Sequence, residues 1–246
     1  AVVTGKPPAL GGSVARREAT GRGLMFLLPQ AASARDLDPE GLTTAIHGFG
    51  NVGRYAAVAG EQMGAKVVAV SDISGALYNP DGLNVDAAAK WVDEHRFLEG
   101  FPDADFIDGD KIFSLPVDVL VPAAIQGVIT EDNADDVQAK VIIEGANNPT
   151  TLTADNMLRS RDVFIVPDIL ANAGGVTVSY FEWVQDVQKY FWTENETVGR
   201  LREIMVRAFD DVHTIAAAEN VDMRTAALIK GIRRVADAKL VRGVFP

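Results

Sequence analysis

Ile46-His47-Gly48-Phe49-Gly50-Asn51-Val52-Gly53 decides the fold of this chain, because three glycines at G-x-G-x-x-G spacing stand where an apolar strand runs into a helix. Thr43 to Ile46 reads as strand, Asn51 to Met63 as the helix that follows, and Lys66 to Val70 as the next strand, which together make a βαβ unit. Gly48 permits the tight turn, Gly50 lets the backbone approach a pyrophosphate, and Gly53 lets helix and strand pack closely. The helix N-terminus then offers unpaired N–H groups to the anion. Asp72 ends the second strand at the spacing expected of the acid that binds an adenosine ribose. Glycines alone would also suit a purely structural turn. Strand, loop, helix and acid in one register favour a dinucleotide.

Working outward, Val117 to Val121, Val141 to Ile143 and Val163 to Val166 are short apolar runs of the kind buried in parallel sheets, each separated from the last by a helix-like segment. Asn79-Pro80-Asp81-Gly82 is a turn, Asn84 to His95 is helical, and Phe97 to Leu115 has no clear period. Upstream, Ser13 is placed to cap a helix running to about Ala34. From Gly174 onward strands cease, and Gly175 to Phe191, Glu194 to Asn220 and Thr225 to Val241 read as amphipathic helices. The aromatics Tyr180, Phe181, Trp183, Tyr190, Phe191 and Trp192 are expected to pack in a core or an interface. The pattern predicts an α/β fold: a doubly wound, mostly parallel sheet with an N-terminal helix and a C-terminal helical tail, and ligand-binding loops at the strand C-termini. Residues 1–246 read as one dinucleotide-binding domain, with the helical tail from about residue 174.

Composition narrows the partners. A net charge of −11 argues against nucleic acid or an anionic membrane, and 48% hydrophobic residues are ample for a core. The absence of cysteine excludes disulfides and thiolate chemistry and fits a cytoplasmic setting. His47, His95 and His213 are too scattered for a metal site, so none is expected. Ala1 to Gly12 carries no signal-like apolar run, and Leu24 to Leu28 falls far short of the roughly 20 residues that span a bilayer. The sequence begins at Ala1 rather than Met.

Thr4-Gly5-Lys6-Pro7, Gly11-Gly12-Ser13, Arg16, Glu18-Ala19-Thr20-Gly21-Arg22-Gly23, the Gly48–Gly53 loop, Pro122-Ala123-Ala124, Glu144-Gly145-Ala146-Asn147 and the run Pro167 to Val176 together resemble glutamate dehydrogenase, over its cofactor-binding half. Ala15 and Asn148 stand where that pattern commonly has glycine, and neither removes a side chain with an expected chemical role. The resemblance implies a Rossmann-like sheet and, in the complete enzyme, reversible oxidative deamination of L-glutamate to 2-oxoglutarate and ammonium, with hydride passed to a nicotinamide. It places Asn147 and Asn172 beside the nicotinamide, Thr20 at the nicotinamide side or the phosphates, and Ala123 and Ala124 along the cofactor. Asn51, within the loop that Phe49 and Val52 complete, meets the nicotinamide side or the phosphates. Ser179 would bond the glutamate side-chain carboxylate, with Val176 lining the same pocket. The family's catalytic lysine and aspartate belong to a substrate domain that precedes Thr4 and is not in this sequence, so no catalytic residue is assigned here; Lys6 matches a lysine at the domain junction.

The expected cofactor is NAD rather than NADP, because Asp72 is followed by Ile73 to Tyr78 without a lysine or arginine to offset a 2′-phosphate. A homo-oligomer, hexameric in the family, is implied for the complete enzyme. Two alternatives are a leucine, valine or phenylalanine dehydrogenase, whose pocket would be apolar, and a non-catalytic dinucleotide-binding module. The chain alone is expected to bind cofactor without turnover.

Overall fold

The structure, a computed structural model, describes residues 2–243. Its sheet is built from β1 (Thr43–His47), β2 (Lys66–Asp72), β3 (Gly75–Tyr78), β4 (Asp105–Ile107), β5 (Val119–Pro122), β6 (Val141–Ile143) and β7 (Phe164–Val166), in the spatial order β4-β3-β2-β1-β5-β6-β7. Strands β2, β1, β5, β6 and β7 run parallel, whereas β3 and β4 are added antiparallel at one edge. The chain leaves β1 in one direction to β2 and returns past it to β5. The order therefore reverses between β1 and β5, and a crevice opens at the C-terminal ends of those two strands.

Successive residues of the central strands feed two apolar layers, as a pleat of period two requires. Ile46, Val67, Val70, Val119, Val121, Val141 and Ile143 join the helices on one face, while Ala45, Val68, Ala69, Leu120 and Ile142 meet Ile112, Ile129 and Leu158 on the other. The helices are α1 (Ala19–Phe26), α2 (Leu28–Ser33), α3 (Asn51–Gln62), α4 (Val85–His95), α5 (Leu152–Ser160), α6 (Asp168–Ala171), α7 (Gly174–Gln188), α8 (Glu194–Glu219) and α9 (Met223–Arg242). Side chains cap several of them: Asn84 starts α4, Thr151 starts α5, Asp222 starts α9, and Thr193 and Glu196 form a reciprocal capping box on α8.

Two expectations need correction, and two short strands lie where the sequence assigned none. The stretch that follows Asp72 forms a strand, β3, paired to β2 with Ser71 opposite Ala76, and the patternless stretch after Phe97 contains β4; both are short edge elements that carry little periodic signal. No α-helix links β5 to β6. Asn133 accepts from the Thr130 N–H at 2.8 Å and donates to the Val128 carbonyl at 2.9 Å, giving the backbone turn partners where a helix would need its own. Ser13 does not cap a long helix: Ala15 sits at φ 64°, which a right-handed helix excludes, α1 begins only at Ala19, and Pro29 enforces the break before α2. Of the aromatics, Phe181 is buried against Trp192, with ring centroids 5.2 Å apart, but Tyr180, Trp183, Tyr190 and Phe191 remain exposed.

The leading segment is fixed to α7 by charge. Lys6 Nζ lies 2.5 Å from Glu182 Oε1 and 2.7 Å from Asp186 Oδ2, and the Gly5 and Lys6 N–H groups donate to the same Glu182 carboxylate at 2.9 and 3.2 Å. The Glu182 side chain has no exposed surface. Burial alone would raise its pKa, but Lys6 and the two backbone donors outweigh that and hold it below the usual 4.5. Asp186 is held below 3.8 by its hydrogen bond from Lys6. Depressed carboxyl pKa values stabilise the fold above the unfolded-state values, and that contribution is lost as pH falls through the folded ones. The gap in urea midpoint between the wild-type chain and Lys6→Met should therefore be full at neutral pH and close progressively below 4.5 and 3.8. A gap that did not change with pH would assign the Lys6 contribution to packing of its stem instead.

Candidate functional site

The site begins where β1 ends. Gly48 has φ 99°, and a Cβ on it would lie 2.7 Å from Ala124. A Cβ on Gly53 would lie 1.7 Å from the Gly48 carbonyl oxygen. Neither position admits a side chain, so α3 starts tight against the loop, and the loop lies against the residues that follow β5. Gly50, at the N-cap, contributes no side-chain bond, which leaves the first N–H groups of α3 without a side-chain cap.

Helix α1 lies across α3 and α7 at glycine contacts. A Cβ on Gly21 would fall 2.5 Å from the Ala56 nitrogen, one on Gly174 2.3 Å from the Ala19 carbonyl oxygen, and one on Gly175 2.6 Å from Thr20 Oγ1. These approaches bring Thr20 to the mouth of the crevice. Thr20, Val52, Ala123, Ala124, Asn147 and Asn172 line one cleft of about 540 Å³, together with Ile125, Gln126, Gly145 and Ala146. The sequence chose the first six for a cofactor, and the fold delivers them from α1, α3 and the loops after β5, β6 and β7. Asn172 Nδ2 donates to Asn147 Oδ1 at 2.8 Å, so the two amides already hold each other's orientation.

Farther along the sheet, Asp72 borders a second cavity of about 630 Å³ lined by His47, Ser71, Ile73, Ser74, Gly75, Phe106, Ile107, Asp108, Gly109 and Asp110, with no lysine or arginine. Asp72 accepts from the Ser74 N–H and hydroxyl on one oxygen and from the Leu98 N–H at 2.8 Å on the other, which leaves capacity on a carboxylate's roughly four lone-pair sites. Burial lowers the pKa of His47, whose Nδ1 has no partner, so the imidazole brings no positive charge.

Other expected residues fall elsewhere. Asn51 does not line the central cleft; its amide donates to the Arg17 carbonyl at 2.8 Å, and it borders a third cavity with Thr20, Arg16 and Arg17. Val176 is 69% exposed, and Ser179, one turn later on α7, donates its hydroxyl to the Gly175 carbonyl at 3.1 Å. Neither lines the central cleft. Arg16 went unselected by the sequence reading, yet its Nε is buried without a partner beside Thr20. Arg16 stands next to Arg17 among the motifs that carry the family resemblance, and that was the signal available for it. Among the described residues no cluster of three histidine or acidic side chains could hold a metal.

A family model for glutamate/leucine/phenylalanine/valine dehydrogenase matches residues 11–243. The chain belongs to this family. It is 48% identical over 246 residues to glutamate dehydrogenase from Thermotoga maritima, covering all of this chain and 59% of that one. The hetero-hexameric glutamate dehydrogenase of Thermus thermophilus, in its leucine-bound form, superposes with a TM-score of 0.93 at 36% identity over all of this chain and 58% of its own. That of Peptoniphilus asaccharolyticus gives 0.86 at 34% identity over 98% and 57%. The chain thus spans somewhat over half the length of these relatives and corresponds to their cofactor domain.

The glycine contacts make a sharp prediction. Gly53→Ala should lower stability by roughly 1–3 kcal/mol through overpacking and abolish dinucleotide binding, because either α3 or the Gly48 peptide must move. Gly199, on α8 with nothing near its Cβ position, is the control: Gly199→Ala should be neutral or raise stability by about 0.4–1 kcal/mol. Denaturant midpoints and cofactor titration of both variants provide the check.

Proposed function

We propose that this chain is the dinucleotide-binding domain of a glutamate dehydrogenase that, with a preceding substrate domain, catalyses the reversible oxidative deamination of L-glutamate. The observation that carries the reading is the convergence of Thr20, Ala123, Ala124, Asn147 and Asn172 on one cleft beside the Gly48–Gly53 loop, at the reversal of strand order. When bound, the nicotinamide ring supplies the hydride acceptor. The N–H groups at the start of α3 receive the pyrophosphate, and Gly50 leaves room for its approach. Asn147 and Asn172 hold the carboxamide and select the ring face, with Thr20 lining the same cleft. Asp72 accepts from the adenosine ribose.

For the substrate, Ser179 turns its hydroxyl from the Gly175 carbonyl to the glutamate side-chain carboxylate, with Val176 beside it on the same face of α7. The polar Ser179 favours glutamate over an apolar amino acid. Phe181 and Glu182 contribute nothing to that choice, the one lying in the core and the other being engaged by Lys6. Proton transfer is left to the substrate domain, and assembly of the complete enzyme follows the hexameric plan named for the Thermus relative.

Cofactor choice follows from the charge around Asp72. Asp108 and Asp110 join it in a cavity without a basic side chain, so a 2′-phosphate there would meet repulsion alone. Calorimetric titration should show NAD binding at least tenfold tighter than NADP, on the order of 1.4 kcal/mol. Equal or tighter NADP binding would overturn the assignment. The same preparation should show no glutamate-dependent NADH formation, because positioning and a base from the other wall of the cleft are required. In the complete enzyme, Ser179→Ala should lower kcat/KM for glutamate about ten- to hundredfold while leaving NAD affinity unchanged, as loss of a charge-assisted bond implies. Unaltered glutamate kinetics would remove Ser179 from the pocket.

A further inference from the structure

Next to the loops that carry the two cleft asparagines lies a set of charges, continued through Asp155 to Arg159, that the proposed chemistry does not itself use. Glu144 follows β6 with no exposed side-chain surface, and its Oε1 lies 2.7 Å from Arg224 Nη2. Its Oε2 accepts from the Asp168 N–H at 2.8 Å, at the first residue of α6. Asp168 Oδ1 lies 3.1 Å from Arg224 Nη1, and Asp168 Oδ2 accepts from the Asn148 N–H at 2.7 Å. Arg224 Nε completes the set on Asp155 of α5, at 3.0 Å. One guanidinium therefore spans three carboxylates, using the fork geometry that a lysine ammonium lacks.

Two of those carboxylates fix backbone next to Asn147 and Asn172. The Asp168 bond to the Asn148 N–H anchors the peptide that follows Asn147, at a residue held in the left-handed region at φ 48°. Glu144, through Asp168, joins the loop after β6 to the start of α6, and Asn172 is the residue that ends α6. Arg224 lies on α9, remote in sequence from both loops, and touches neither asparagine.

We propose that Arg224 is a positioning residue for the nicotinamide end of the cofactor: by joining Glu144 to Asp168 it sets the relative placement of the loops that carry Asn147 and Asn172. The inference rests on the reading of the cleft as a dinucleotide site. Its chemistry is specific, because the adenosine and pyrophosphate subsites are built from the Gly48 loop, the start of α3 and Asp72, none of which touches this set of charges. Burial disfavours the Arg224 charge, but Glu144 and Asp155 outweigh it and hold its pKa above the ordinary value, so the guanidinium stays charged across the working pH range.

The test compares two probes. ADP-ribose carries the adenosine and pyrophosphate groups without the nicotinamide, and NAD carries all three. Calorimetry on the wild-type chain should show NAD binding more tightly than ADP-ribose. In Arg224→Met, NAD affinity should fall roughly tenfold, the worth of one or two hydrogen bonds, while ADP-ribose affinity stays within about a factor of two. Arg224→Lys, which keeps the charge but not the three-way span, should show the same split if Arg224→Met lacks a cooperative melt. Equal weakening of both probes would make Arg224 merely structural and overturn the inference, as would two variants that bind NAD as the wild type does. A wild-type chain binding ADP-ribose as tightly as NAD would also overturn it, leaving the dinucleotide reading intact. A wild-type chain that bound neither probe would instead overturn the dinucleotide reading and this inference with it.

Discussion

The contact between Gly53 and the Gly48 carbonyl is the constraint on which the arrangement of the crevice depends. A β-carbon at 1.7 Å from that oxygen is impossible, so the helix can start where it does only because no side chain is present. The consequence spreads by packing. With α3 tight against the loop, Gly21 lets α1 approach the backbone of Ala56, and Gly174 lets α7 approach the Ala19 carbonyl. Three helices are thus brought to backbone contact around one end of the sheet, and Thr20 is carried to the crevice by that stacking. Such contacts also gain close-packed dispersion that a looser crossing would forfeit.

Buried charge does a second kind of work here. Glu144 and Glu182 are both without exposed side-chain surface, and each takes a cation on one oxygen and backbone N–H groups in addition. Ion pairs of this type give little net stability over an apolar substitute, because desolvation consumes most of the Coulombic gain, but removing one partner is costly. Their value lies in geometry. Each ties segments far apart in sequence: Lys6 to α7, and α9 to the loops after β6 and β7. A hydrophobic contact would allow sliding of a few tenths of an ångström, whereas a carboxylate shared by directional donors does not.

The strands that build the crevice were legible because β1, β2, β5, β6 and β7 are apolar runs cut off by turn chemistry, and the G-x-G-x-x-G spacing located the ligand end of the sheet. The edge strand β4 was not: Asp105 and Phe106 are exposed, so no burial pattern marked it. Ala15 and Asn148 show a different limit. Read as neutral departures from a glycine-rich pattern, they prove to sit at φ 64° and 48°, which explains why glycine suits both positions. Asparagine tolerates that region through its short polar side chain, while alanine bears a steric cost of about 1 kcal/mol. Backbone conformation of this kind is a property of the tertiary path and has no periodic signature. Side-chain engagement was equally hidden: the family resemblance implied a carboxylate pocket at Ser179, but only the structure shows its hydroxyl turned back to Gly175.

That engagement is general at the site. Asn172 is bonded to Asn147, Asn51 to Arg17, Ser179 to Gly175, and Asp72 to Ser74 and Leu98. Where such a bond is surrendered on binding, a ligand exchanges one protein partner for another, and the net gain per bond stays near the roughly 0.5–1.5 kcal/mol typical of such exchanges. Affinity must then come mainly from groups that have no internal partner to surrender. The first N–H groups of α3 lie beside a glycine with no side chain to cap them, and the buried Nε of Arg16 and Nδ1 of His47 have no partner. The desolvation of those two buried nitrogens is already complete, so any bond they form recovers a penalty built into the fold. Asn147 and Asn172, which hold each other in place, supply orientation within the central cleft, while the unfilled nitrogens of Arg16 and His47 border two further cavities.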